Sequence, residues 1–389
     1  MNILGIVVEY NPFHLGHLHH LTQAKALTKA DFVIAIMSGH FTQRGLPAVL
    51  DKYQRTQLAL HHGIDVVLEL PVVYATASAN TFALGAVAAL SLSGATTMAF
   101  GAETPALETL QTYATLLNHE SEAFSQSLKA YLAQGLPYPT AREKALAPLV
   151  TSPAPLRPNN ILGIEYLRAI ETLEAKIQPF ALPRNPDFAS ATSINQLIRE
   201  GHLDQLGDKI PPLTHQALTQ NFNAQRQVSL DAYSGIFHYL LRHQFKELET
   251  ILDMNEGLEY RFLKASDSHF LLSEVLMAVK SKRYTLTRLQ RIVVHTLLNI
   301  TQSDPHTYLP LPYLRVLGFK QSASHLLKDM NQVPLLTNPK TASHLLCQRG
   351  QALFAKEVAA TDLYHLGMGT YLNQPIKKGA EYSTPIIRL

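Results

Sequence analysis

The sequence predicts an α/β fold, with a Rossmann-like parallel sheet over residues 1–200 followed by a mainly helical region over residues 201–389. Three observations carry this reading. Nearly unbroken apolar runs recur at 3–8, 31–37, 65–70 and 97–100, each about one strand long. A segment of helical period follows each of the first three, and such alternation is the pattern of parallel strands covered on both faces. Beyond about residue 200 the strand pattern disappears, and apolar residues recur at helical spacing instead.

In order, the run 3–8 is the first strand, and Leu18, Leu21, Ala24 and Leu27 mark the helix after it. The second strand, 31–37, opens into the polar loop Gly39-His40-Phe41-Thr42-Gln43-Arg44-Gly45. Residues 52–61 read as a helix, 65–70 as a strand stopped by Pro71, 79–92 as a helix lined with small residues, and 97–100 as a strand ending at Gly101. Helices over about 104–157 read as an insertion, closed by the stiff connector Ser152-Pro153-Ala154-Pro155-Leu156-Arg157-Pro158. A fifth strand is expected at 177–182, and Ser190-Ala191-Thr192-Ser193-Ile194-Asn195 opens another helix, its hydroxyls suited to capping or to phosphate. In the second half, helices are expected at 237–252, 256–265, 271–279 and 288–299, as a separate module with a loosely held tail from 377 to 389.

Composition sets limits. At 389 residues the chain holds two or three domains. One cysteine, Cys347, rules out an intrachain disulfide and a cysteine zinc cluster. The N-terminal apolar run is too short for a signal or membrane segment, so a cytoplasmic protein without membrane association is expected. A net charge of +3 means that any basic surface is local, and most of the 18 histidines read as surface residues. No His-Glu-x-x-His, Walker A or Gly-x-Ser-x-Gly pattern occurs, and the sequence nominates no metal ligands.

The chemistry concentrates in Val7-Val8-Glu9-Tyr10-Asn11-Pro12-Phe13-His14-Leu15-Gly16-His17-Leu18-His19-His20. A buried strand that feeds a turn and a helix N-terminus is an anion site. His14 and His17 supply imidazole donors for phosphate oxygens, and Gly16 permits close approach. The bland alternative is that the two histidines only cap the helix. Glu9 reads either as a polar nucleotide contact or as an edge residue satisfied by backbone, and His19 and His20 as ordinary helix residues. Arg44 is a candidate anion binder, whereas Lys52 and Arg55 read as solvated unless RNA covers them. Asn159 and Asn160, just before a helix, suit capping or adenine and ribose recognition, and Arg184 follows the fifth strand where a cation over phosphates would sit.

The strongest feature of the second half is Lys280-Ser281-Lys282-Arg283-Tyr284-Thr285-Leu286-Thr287-Arg288-Leu289-Gln290-Arg291, five basic residues with no acid. Thr287 and Gln290 have capping-box spacing, which would put Arg288 and Arg291 in the first turn against the helix dipole. A docked RNA phosphate would relieve that conflict, with Tyr284 free to stack on a base.

The opening motif resembles the HIGH signature of nucleotidyltransferases. Together with segments 37–48, 65–71, 100–103, 158–163, 190–194, 282–291 and 314–319, it makes the chain similar to the tRNA(Met) cytidine acetate ligases. The resemblance implies a nucleotidyltransferase domain at 1–200 and a tRNA-binding domain at 201–389. It implies that acetate attacks ATP, carried with Mg²⁺ and no tightly bound cofactor, to give acetyl-adenylate and pyrophosphate. The acetyl group then passes to N4 of the wobble cytidine of elongator tRNA(Met), giving N4-acetylcytidine. On this resemblance residues 7–20, with His14 and His17 on the phosphates, Gly101, Asn159 or Asn160, Pro183 and Arg184 form the ATP site. Lys280, Lys282, Arg283, Tyr284, Arg288 and Arg291 would face tRNA. Two positions depart from the pattern: Asn195 stands where an arginine is common, and Pro183 where a lysine is. Arg184 or Arg199 is the expected substitute cation. The competing expectations are an adenylyltransferase or carboxylate ligase acting on a small metabolite, and a non-catalytic RNA binder on a nucleotide fold.

Overall fold

A computed structural model describes residues 1–150, 155–372 and 375–389. The Ser152-Pro153-Ala154 part of the expected connector lies outside the described residues.

The first half alternates as expected. Strands β1 (Ile3–Val8), β2 (Phe32–Ser38), β3 (Val66–Leu70) and β4 (Thr97–Ala102) are linked by helices α1 (Leu15–Thr28), α2 (Lys52–His61), α3 (Val72–Ala75) and α4 (Ala79–Leu92). The insertion is α5 (Leu107–Asn118), α6 (Glu122–Ala133) and α7 (Tyr138–Leu146). Then come α8 (Pro158–Thr172), β5 (Gln178–Pro183) and α9 (Ala191–Glu200).

Strands β1 to β4 are almost wholly apolar because both faces are buried, with Glu69 of β3 the charged exception. Leu4, Ile6, Val33, Ala35 and Met37 pack with Leu21 and Ala24 of α1 and Ala59 and Leu60 of α2. The alternate residues Ile3, Ile34, Ile36, Val66 and Leu68 pack with α4 and α8 on the other side. Sheet order is β5-β4-β1-β2-β3-β6-β7. β1 pairs in parallel with both β2 and β4, so the chain reverses its direction of winding between β1 and β4. In open α/β sheets the crevice at the carboxyl ends beside such a switch point is where ligands bind.

The second half is mainly helical, with α10 (Pro212–Asn223), α11 (Ser234–His243), α12 (Leu258–Ser266), α13 (Leu272–Val279), α14 (Leu286–Leu298), α15 (Asp304–Thr307), α16 (Leu326–Asp329), α17 (Ala342–Leu345), α18 (Gln348–Leu372) and α19 (Ala380–Ser383). The strand pattern nevertheless returns. β6 (Leu314–Phe319) pairs antiparallel with β3, and β7 (Leu335–Leu336) and β8 (Ile387–Arg388) pair with β6. The expected loose tail is therefore fastened, since β8 extends the sheet and Glu381 is fully buried.

The two halves also meet across the carboxyl edge. His295 of α14 bonds the Thr76 carbonyl, the Tyr74 hydroxyl donates to the Pro305 carbonyl, and the Tyr364 hydroxyl donates to the Ala48 carbonyl. Far from a detached module, the helical half is built onto the edge where a ligand would sit. Among the described residues, no helix is long and apolar enough to cross a membrane.

Candidate active site

β1 runs out at Val8, and Tyr10 takes a left-handed backbone (φ 48°) that turns the chain into the histidine motif. Tyr10 is buried, edge-on to Phe13 at 4.6 Å and to His17 at 5.1 Å. The two motif histidines form a reciprocal cap on α1. The His17 amide donates to Nδ1 of His14, and the His14 amide donates to Nδ1 of His17, each at 3.3 Å. Their rings stack at 3.6 Å.

A backbone amide only donates, so both Nδ1 atoms act as lone-pair acceptors and each neutral ring carries its proton on Nε2. Burial, reinforced by the Arg184 guanidinium, lowers His14 to about 4. Burial and the neighbouring His14 and His20 hold His17 well below the usual imidazole range. Both rings are thus neutral Nε2–H donors at neutral pH. Capping and anion binding, weighed as alternatives from sequence, do not compete: the cap uses Nδ1 and leaves the Nε2–H outside it.

Gly16 has a different use from the one expected. A Cβ there would lie 2.9 Å from Cε1 of His14 and 3.3 Å from Cβ of Phe188, so the glycine makes room for the histidine ring itself. His20 is half-buried, its ring beside Gly101, and its Nε2 has no hydrogen-bond partner among the described residues. His19 packs on Phe188.

The other loops are tied to this one. The Asn11 side chain accepts from the Val49 amide, and the Asn195 side chain donates to the Asn11 carbonyl, both at 2.8 Å. Asn195, standing where a cation was expected, thus braces the motif loop instead. Arg184 reaches the vicinity of His14, whereas Arg199 lies in the last turn of α9. Arg44 is exposed and donates to Thr192 at the start of α9, 3.3 Å away. Pro183 is the last residue of β5, paired with Ala102, and the Arg184 amide bonds the Ala102 carbonyl.

Asn159 and Asn160 differ. Asn160 is fully buried, and its amide group bonds Thr104 and the Pro155 carbonyl. Asn159 is half-buried and donates to Glu103, whose carboxylate also receives the Asn160 amide at the α8 N-terminus.

Sequence reasoning missed Lys52 and Arg55, which are fully buried rather than solvated. Arg55 donates to the carbonyls of Glu9, Leu50, Ser38 and Gly39, pinning the ends of β1 and β2 together. Lys52 sits between Glu69 and Glu381, 2.7 Å from each. The arginine's acceptors are backbone atoms and one lysine partner lies more than 300 residues away, so neither role leaves a local pattern. His40, His238 and His295 are also buried rather than superficial.

Comparison with known proteins agrees with this geometry. The profile of the HIGH Nucleotidyl Transferase family matches residues 1–378. The tRNA(Met) cytidine acetate ligases of Thermoanaerobacter sp. (strain X514) and of Caldanaerobacter subterraneus subsp. tengcongensis are 40% and 38% identical, over the full length of both chains. The crystal structure of Thermotoga maritima TmcAL bound with alpha-thio ATP superposes with a TM-score of 0.92 at 32% identity, covering all of both chains. The chain belongs to the tRNA(Met) cytidine acetate ligase family.

The segment expected to face the family's RNA substrate is built differently from the expectation. α14 starts two residues earlier than expected: Thr285 is the N-cap, its hydroxyl accepting from the Arg288 amide, which brings Leu286 onto the apolar stripe with Leu289 and Ile292. Arg291 therefore lies in the second turn, paired with Asp253 at 3.1 Å. Arg288 donates to the Asp253 carbonyl and to Asn255. Groups of the protein itself relieve the dipole conflict. Tyr284 is 3% exposed and ringed by the guanidiniums of Arg261, Arg283 and Arg288, so it is not free to stack on a base. Lys280, Lys282 and Arg283 remain exposed, Arg283 beside Glu256. Gly45 connects this segment to the loop after β2 at the sheet's carboxyl edge. With φ +73° it lies against the backbone of Gln290 and Arg291, leaving no room for a Cβ.

Proposed function

We infer that this protein activates acetate with ATP as acetyl-adenylate and acetylates N4 of the wobble cytidine of elongator tRNA(Met), forming N4-acetylcytidine. The observation that carries this is the reciprocal histidine cap at the β1/β4 switch point, which fixes two Nε2–H donors beside Arg184. Neutral donors and a nearby guanidinium suit the charge that gathers on departing pyrophosphate. Residues 7–20, Gly101, Asn159, Pro183 and Arg184 line ATP in this reading; Asn160 supports from behind. Mg²⁺ enters with the ATP phosphates. Family membership supplies the acceptor, and the packing of α14 on Gly45 supports it by bringing the exposed Lys280, Lys282 and Arg283 segment to the same edge. Residues 201–389 then hold tRNA, and an enzyme acting on tRNA works in the cytoplasm.

The test is incubation with ATP, labelled acetate and tRNA. Acetate-dependent pyrophosphate release with label on cytidine N4 is expected. Pyrophosphate release with another acid and no labelled RNA would replace this reading with a small-metabolite ligase, and no pyrophosphate release with any acid would remove the catalytic reading.

A further inference from the structure

Acetyl transfer to cytidine needs a proton acceptor, because the exocyclic amine must lose a proton as its nitrogen bonds the acetyl carbon. The motif histidines cannot serve. Their Nδ1 lone pairs are taken by backbone amides, and their Nε2 atoms carry the protons. His20 is a weak base, lowered to about 4 by burial and by His19.

Glu9 stands at the end of β1, five residues before His14, on the same carboxyl edge. It is held but not used up. Its Oε1 accepts the Gln43 amide at 2.7 Å, and its backbone carbonyl accepts the buried Arg55 guanidinium at 2.6 Å. No hydrogen bond within the described residues engages Oε2, and the residue keeps partial exposure. The charged and titratable groups facing it are Arg44 in the loop after β2, Arg55 of α2 and Tyr166 of α8. Burial raises the carboxyl above its usual range, more than the Gln43 amide and the two arginines lower it. That change makes it a stronger base.

We propose that Glu9 is the general base of the acetyl-transfer step, with Oε2 as the proton acceptor. The inference rests on the acetate ligase reading above. In the step, cytidine N4 forms a bond to the acetyl carbon, the bond from that carbon to the phosphate oxygen breaks, and AMP leaves with the electron pair. The N4 proton passes to Oε2 and then to solvent.

The test compares two rates in one preparation: acetate-dependent exchange of pyrophosphate into ATP, which reports adenylation, and single-turnover transfer of acetyl to tRNA. Their ratio is insensitive to the fraction of protein that folds. Glu9→Gln should lower the ratio of transfer to exchange by roughly 10²–10⁴-fold, the usual worth of a positioned base. Transfer by the unsubstituted enzyme should rise with pH to a plateau, Glu9→Gln should lose that rise, and Glu9→Asp should keep it at a lower rate. An unchanged ratio in Glu9→Gln, or an equal loss of both rates, overturns the assignment. Absence of acetate-dependent exchange in the unsubstituted enzyme overturns the ligase reading itself, and the base assignment with it.

Discussion

His14 does two jobs that substitution can separate. Its Nδ1 caps α1, and in the proposed reaction its Nε2–H is the phosphate donor. His14→Ala removes both, with a stability cost of about 1 kcal/mol, typical of a lost N-cap. His14→Asn restores an acceptor for the His17 amide but supplies no imidazole donor. We expect Asn to recover the denaturation midpoint while acetate-dependent pyrophosphate exchange stays abolished. Recovery of exchange by Asn would mean that the cap alone matters. The same residue sets an acid limit. Its folded pKa lies below the ordinary 6.5, so its contribution to stability is whole above that value and is lost as pH falls through about 4. The unsubstituted protein should lose stability between these pH values more steeply than His14→Asn, as read from urea midpoints at several pH values. The motif was legible in the sequence because its parts are contiguous. The bracing role of Asn195 was not, because its partner Asn11 lies 184 residues away.

At the scale of elements, strands β1 to β4 were legible because burial on both faces leaves nearly unbroken apolar runs, and β5, though more exposed, keeps the apolar run Phe180-Ala181-Leu182. β6 was not read as a strand. Its second residue is Arg315, whose burial makes sense only beside Glu381, and an internal arginine interrupts the pattern sought. The start of α14 was misplaced by one capping choice, and that error changed the reading of its basic residues. Arg291 and Arg288 are tied to Asp253 and Asn255, so Arg291→Ala should act first on the stability of the helical half. Lys280, Lys282 and Arg283 are exposed. Replacing these three by Ala should weaken tRNA binding and reduce the slope of log affinity against log salt by roughly 2, if each meets a single-strand phosphate. Filter binding of tRNA across a salt series measures this. An unchanged slope would move the RNA surface elsewhere.

At the scale of the whole molecule, a buried charge cluster fastens the C-terminal helices to the sheet. Lys52 of α2 lies between Glu69 of β3 and Glu381 of α19, Arg315 of β6 reaches the other oxygen of Glu381 at 3.2 Å, and Thr361 of α18 donates to Glu381. Glu357 of α18 receives the Val72 amide at 2.6 Å. Burial and the nearby Glu69 raise Glu357 well above the usual carboxylate range, which disfavours its ionised form. Burial also opposes ionisation of Glu381, but Lys52 and Arg315 outweigh it and hold that carboxyl at about 2. Lys52 and Arg315 thus face Glu69 and Glu381; burial raises Glu69 as well, against the Lys52 ammonium that lowers it. Lys52→Met would leave Glu69 and Glu381 with one cation, at a cost of about 3–5 kcal/mol, as for other broken buried pairs. Glu357→Gln fixes the neutral form that burial favours and keeps an acceptor for Val72, so its cost should stay within about 1 kcal/mol, the worth of one hydrogen bond. Urea unfolding of the two variants at pH 7 decides the matter. Equal costs would mean that Glu357 is ionised. Because α18 and α19 hold the loops after β2 and β3 through these contacts, Lys52→Met should also lower pyrophosphate exchange, although Lys52 touches no substrate.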